Sequence, residues 1–112
     1  MKEHGQKVAS VIVQPIQSIT LQSARPEFFT ELRKIAKDHN VTFILDETCS
    51  GGGSSGNFWA HERWNWSKSM RPDIVSFGRK TQSSGVFTTS DYMPHFNWRL
   101  FNDQGAEGIR LL

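Results

Sequence analysis

Residues 43–62, "FILDETCSGGGSSGNFWAHE", run from an apolar stretch through two adjacent carboxylates into a loop of glycine and serine. With Val41 and Thr42 before it, the apolar part reads as a strand, Val41 to Leu45, that ends at Asp46. A short, continuous run of β-branched and aromatic residues is the mark of a strand buried on both faces. An acid at the end of such a strand is costly unless a positive group awaits it. The neighbouring segments have to supply that group.

Working outward, "VASVIVQPI" (Val8 to Ile16) is a second nearly continuous apolar run, ended by Pro15. "PEFFTELRKIAKDHN" follows a polar connection. Pro26 stands at a favourable first-turn position, and Phe28, Phe29, Leu32, Ile35 and Ala36 recur at helical spacing. Glu27 and Glu31 lie early while Arg33, Lys34 and Lys37 lie late, as the helix dipole favours, and Asn40 is the expected stop. Beyond the glycine loop, "NFWAHERW" (Asn57 to Trp64) reads as a short aromatic helix or turn, "SKSMRP" as a loop, and "DIVSF" (Asp73 to Phe77) as a third strand. From Val86 onward the pattern is mixed and turn-rich. Strand, helix, strand, short helix, strand predicts an α/β fold with parallel strands. In such sheets ligands sit outside the carboxyl ends of the strands. Asp46 ends the second strand and Lys80 follows the third. If these strands are neighbours, an acid and an amine face one cleft. An acid that holds a cationic ring nitrogen and a lysine that forms a Schiff base are the two protein groups that pyridoxal phosphate chemistry requires.

Composition limits the alternatives. The 112 residues suffice for one small domain. A net charge of +2 with interspersed acids and bases is no footprint for nucleic acid, and no apolar run approaches membrane-spanning length. Neither nucleic acid nor membrane is therefore an expected partner. Cys49 is the only cysteine, so no intrachain disulfide forms and a reducing compartment is expected. "MKEHGQKVAS" has the features of neither a signal peptide nor a transit segment.

The segments "VIVQPIQS", "RPEFF", "FILDETCSGGGSSGNFWAHE", "PDIVSFGRKTQSSG" and "WRLFN" stand in the order of matching segments in the class III pyridoxal-phosphate aminotransferases, which this chain resembles along almost its whole length. The resemblance implies the large, cofactor-binding domain of a fold-type I enzyme, a mostly parallel sheet flanked by helices. Residues 1–112 then form an interior part of that domain, with the N-terminal and C-terminal parts of the family absent. It implies pyridoxal 5'-phosphate as cofactor, a homodimer, and transamination between a terminal amine and a 2-oxo acid, in the mitochondrial matrix or cytoplasm. Lys80 takes the place of the catalytic lysine, and Asp46 that of the partner of the pyridinium nitrogen. Thr48 falls where the family packs an aliphatic residue on the ring face. Cys49 falls where a Gln commonly bonds the ring's phenolic oxygen. Ser84-Gly85 stands for the usual Gly-Gly.

Three departures accompany the match. Gln14-Pro15-Ile16-Gln17 replaces Glu-Pro-Ile-Gln. Ser18-Ile19-Thr20-Leu21 replaces Ser-Glu-Gly-Gly, whose Glu is associated with handling two substrates. Phe101-Asn102-Asp103 replaces Phe-Asn-Thr, whose Thr reaches the partner subunit's cofactor phosphate; a carboxylate there repels it. An inactive, truncated relative that at most associates with a full-length subunit is the other reading of such a chain.

Other readings of the same residues are weaker. Gly51 to Gly56 has the glycine spacing of a phosphate-binding loop, but Asn57 stands where lysine is needed, and two acids precede the loop. A flexible turn under the cofactor is expected instead. His61-Glu62 lacks a second histidine at helical spacing, so no metal site is expected. Phe58, Trp59, Trp64 and Trp66 read as packing surface.

Overall fold

The computed structural model describes residues 7–93. It contains β1 (Ser10–Val13), α1 (Pro26–Asp38), β2 (Thr42–Asp46), β3 (Ile74–Phe77) and β4 (Gly85–Thr88), with single-turn 3₁₀ segments at Ala60–Trp64, Lys68–Met70, Arg79–Thr81 and Ser90–Tyr92. The strands form one sheet in the order β1-β2-β3-β4. The three strands read from the sequence are parallel, and β2 lies between β1 and β3. β4 runs antiparallel to β3, Phe77 facing Gly85 and Ile74 facing Thr88. The sheet is therefore mixed but mostly parallel.

α1 forms where the sequence places it. Pro26 occupies its first turn, and Phe29, Arg33 and Ala36 make its buried face. The backbone N–H of His39 bonds the Ile35 carbonyl, and Asn40 takes a left-handed conformation (φ 53). Asparagine accepts that conformation more readily than most residues, so the helix stops there. Phe29 stacks on Trp64 at 4.2 Å between ring centroids. Ala36, Phe43, Leu45 and Val75 form the core, flanked by Val11, Val13, Leu32, Trp59, Trp64 and Trp66. Trp59, Trp64 and Trp66 thus pack against the core, as expected, while Phe58 is 54% exposed.

Two expectations change. The strands are not buried on both faces within the described residues. In β2, Phe43 and Leu45 are buried while Thr42, Ile44 and Asp46 on the opposite face are only partly so. Ile12 of β1 is 63% exposed, because β1 is an edge strand here and α1 and the aromatic segment cover one face of the sheet. The second change concerns Arg33, read as a helix-dipole residue. It is buried and reaches across to the first residue before β3. Its Nη1 and Nη2 donate to Asp73 Oδ2 and Oδ1 at 2.9 and 3.1 Å, and Nη2 also donates to the Arg71 carbonyl at 2.8 Å. Asp73 Oδ2 accepts the Phe43 backbone N–H at 2.8 Å. One carboxylate therefore ties α1, β2 and β3 together at the amino ends of the strands.

Removing either partner strands the other in a mostly dry site. In the intact protein, Asp73→Ala is expected to lower unfolding free energy by about 3 kcal/mol, the lower part of the range for breaking a buried pair. Urea denaturation checks this. A loss below about 1 kcal/mol would show the pair to be a surface ornament.

Candidate active site

At the opposite, carboxyl ends of the strands, β2 delivers Asp46 and β3 delivers Ser76 in direct register. Asp46 is enclosed by hydrogen-bond donors. Its Oδ1 accepts from Ser76 Oγ (2.9 Å), Thr48 Oγ1 (2.7 Å) and the Thr48 backbone N–H (3.1 Å). Its Oδ2 accepts one bond, from Gln14 Nε2 at 2.9 Å. Burial opposes the charge on Asp46, but the bonds from Gln14, Thr48 and Ser76 outweigh it and hold the carboxyl below its usual range. The acid at the strand end is thus met by neutral donors, and no cation is paired with it among the described residues. With three donors on Oδ1 and one on Oδ2, Oδ2 is the oxygen with acceptor capacity to spare.

Lys80 lies in the 3₁₀ turn Arg79–Thr81, just past β3, and is exposed. Arg79 has a left-handed φ of 47, uncommon for a residue with a Cβ. The chain thus turns sharply out of the sheet at Lys80 before β4 returns. Asp46 and Lys80 therefore stand at the ends of adjacent parallel strands. Two cavities among the described residues lie elsewhere. One, of about 760 Å³, is bordered by Trp59, Trp66, Val75 and Phe87; the other, of about 580 Å³, touches this region only through Gln14.

Thr48 spends its hydroxyl on Asp46, and its methyl lies toward Gly78, where an added Cβ would stand 3.8 Å away. Cys49 is partly exposed, with Sγ 3.9 Å from Thr48 Oγ1. Asp103 and its neighbours lie outside the described residues.

Backbone hydrogen bonds tie the glycine loop to its flanking segments. The Gly51 N–H bonds the Glu47 carbonyl at 2.7 Å, and the Gly52 N–H bonds that of Phe58 at 2.9 Å. A Cβ on Gly51 would stand 2.8 Å from the Glu47 carbonyl oxygen and 2.9 Å from the Trp59 ring, so only glycine fits. Gly52, with φ +76, lies against the Lys80 and Thr81 side chains, where a Cβ would stand 3.3 Å from each. The loop that leaves β2 is thereby seated on the turn that carries the lysine.

Glu47 was not among the residues read from the sequence as functional, and it organises that loop. It is fully buried. Its Oε1 accepts the His61 backbone N–H at 3.0 Å and lies 2.7 Å from His61 Nδ1; its Oε2 accepts from the Ala60 N–H at 2.8 Å and Ser50 Oγ at 3.1 Å. Burial raises the cost of its charge, yet the bonds from His61 and Ala60 outweigh that cost and hold it below the usual glutamate range. Locally it reads as a second loop acid; only the return of residues 60 and 61 to the end of β2 shows its role. His61 serves this carboxylate. No cluster of potential metal ligands occurs among the described residues.

The profile of the family described as "Aminotransferase class-III" matches residues 1–97. The chain belongs to the class III aminotransferases. This class III chain is 43% identical over 106 residues to a 4-aminobutyrate aminotransferase of Dictyostelium discoideum, covering 94% of the chain and 21% of that protein. It is 40% identical over 96 residues to the mitochondrial 4-aminobutyrate aminotransferase of Homo sapiens, covering 85% and 19%. Among solved structures, a lysine aminotransferase from M. tuberculosis superposes with TM-score 0.63 and 36% identity over 69% of the chain and 17% of its own. Plasmodium falciparum ornithine delta-aminotransferase superposes with TM-score 0.68 and 25% identity over 77% and 23%. The class III chain spans about a fifth of the length of the curated relatives it matches.

The family is pyridoxal-phosphate dependent, and the donor set present fits that cofactor. Asp46 is held ionised with Oδ2 able to accept another hydrogen bond. Lys80, one strand over, makes no ion pair among the described residues.

Proposed function

We propose that these residues are part of the pyridoxal-phosphate-binding domain of an aminotransferase that acts on a terminal amine. The observation that carries the proposal is the ionised carboxylate of Asp46 at the end of a strand parallel and adjacent to the one that leads into Lys80. In this reading Asp46 would accept a hydrogen bond from the cofactor's ring nitrogen and favour its charged state. Lys80 would hold the cofactor through its side-chain amine, and that amine, when free, would take the proton from the amine-bearing carbon of the substrate. Thr48 and Cys49 line the ring from the loop after β2. When bound, the cofactor supplies an electron sink and an amino-group carrier.

The amine substrate is proposed as 4-aminobutyrate, giving succinate semialdehyde, with 2-oxoglutarate as amino acceptor. The similarity to the 4-aminobutyrate aminotransferases of Dictyostelium discoideum and Homo sapiens supports it. A lysine 6-aminotransferase is the second reading, favoured by the 36% identity to the mycobacterial enzyme. A homodimer is proposed for the intact protein, in the mitochondrial matrix or the cytoplasm; several relatives are named as mitochondrial.

The test is Asp46→Asn in the intact protein. Covalent cofactor attachment at Lys80, mapped by borohydride reduction and peptide mass, is expected to survive. Turnover of 4-aminobutyrate or lysine should fall by roughly 10²–10³-fold, the range for losing one preorganised electrostatic partner. Undiminished turnover would remove Asp46 from the site.

A further inference from the structure

We propose that Gln14 is a positioning residue for Asp46: its side-chain amide fixes the orientation and ionisation of that carboxylate from the end of β1. The geometry assigns the amide's direction. Gln14 Oε1 accepts the Ser18 backbone N–H at 3.3 Å, so the NH₂ end is the one that faces Asp46 Oδ2 at 2.9 Å. An Asn or Gln orientation is set by such a network. Ser18 can only donate from its backbone, and an ionised Asp46 can only accept, so each neighbour demands the same orientation.

The position of Gln14 in the chain makes this bond structural as well as electrostatic. Pro15 follows directly and is buried, and Ser23 Oγ bonds the Pro15 carbonyl at 2.6 Å. The residue is thus anchored on both sides, with little freedom to swing away. Among the described residues Gln14 is also the one donor on Oδ2. The other donors to Asp46 converge on Oδ1. Removing Gln14 leaves Oδ2 unpartnered among the described residues, with the carboxylate held only through the bonds on Oδ1. Replacing it with glutamate sets two carboxyl groups at hydrogen-bond distance, where they cannot both ionise readily. The ionisable side chains in the flanking segments are Glu47 and Cys49 in Asp46's own loop and Arg79 and Lys80 after β3; β1 contributes none in its described residues.

The role proposed for Gln14 rests on the reading of Asp46 as the cofactor's partner only in its consequence for catalysis; its effect on the carboxylate is separable. The experiment follows the Asp46 ¹³Cγ resonance against pH in the intact, cofactor-free protein, assigned by its loss in Asp46→Asn. Wild type should titrate below the usual aspartate range. Gln14→Glu, which restores the residue usual in the matching family segment, should move the Asp46 midpoint up and make its titration that of a coupled acid pair. Gln14→Met, which keeps length but donates nothing, should move it up by less than Gln14→Glu does. Equal midpoints in wild type and both variants, with folding confirmed by a thermal melt, overturn the proposal. If a variant does not fold, the second supplies the same comparison. If neither folds, the wild-type titration decides: a midpoint at or above the usual aspartate value overturns it. Because cofactor is absent, failure of the Asp46 reading shows separately, as unchanged turnover in Asp46→Asn.

Discussion

Lys80→Ala in the intact protein is expected to eliminate borohydride-stabilised attachment of pyridoxal phosphate and to lower transamination by roughly 10⁴-fold, the upper range for losing a positioned proton-transfer group. The expectation rests on placement. Lys80 is the exposed amine in the turn that leaves β3, and that turn is held from below by Gly52. Arg79→Ala is the control. It removes the neighbouring cation, and attachment should persist. Peptide mapping after reduction settles the assignment, since label on a lysine elsewhere in the chain, or label surviving Lys80→Ala, would overturn it.

The second large effect concerns stability. Glu47→Ala is expected to cost about 3–5 kcal/mol, because it leaves the buried Ala60 N–H and the adjoining His61 N–H without their acceptor. Glu47→Gln keeps the shape but offers a single carbonyl oxygen where two carboxylate oxygens served four donors, and is expected to cost less, about 1–3 kcal/mol. The pH dependence has a definite sign. Glu47 is held below its ordinary value of 4.5, so in acid the unfolded chain binds its proton first. The stabilisation is full above pH 4.5 and is lost as pH falls through the lower folded value. Asp46 adds a similar loss starting below 3.8. Glu47→Gln should therefore flatten the acid limb of a stability-against-pH curve, as read by urea midpoints. An acid limb unchanged in the variant would show that Glu47 is not the group being titrated.

Much of this arrangement is visible in the sequence because local signals agree. Pro26, the spacing of Phe29 and Ala36, and Asn40 define α1 from within its own residues. The strand ending at Asp46 and the one starting after Asp73 are apolar runs of the right length, and their parallel adjacency follows from the intervening helical segments. What was not visible depends on residues distant in sequence. Arg33 follows the polar rule for a helix end until Asp73, forty positions on, draws it inward. Glu47 looks like a second loop acid until residues 60 and 61 turn their N–H groups toward it. β4 is four residues long, and its pairing is fixed by the turn at Lys80 rather than by its own composition. At the site, Asp46 and Lys80 were legible as strand-end residues. Gln14 and Ser76, the donors that set the state of Asp46, were not, since nothing local marks a glutamine or serine as a carboxylate partner.

The shell around Asp46 also imposes an order on biosynthesis. Gln14 leaves the ribosome first, Asp46 and Thr48 follow, and Ser76 comes thirty residues after the acid it bonds. At roughly 5–20 residues per second, that interval is about 1.5 to 6 seconds. Through it the nascent carboxylate lacks its β3 donor, and Lys80 arrives later still. A nascent chain stalled before Ser76 therefore carries Asp46 without the full set of donors that surrounds it in the folded sheet.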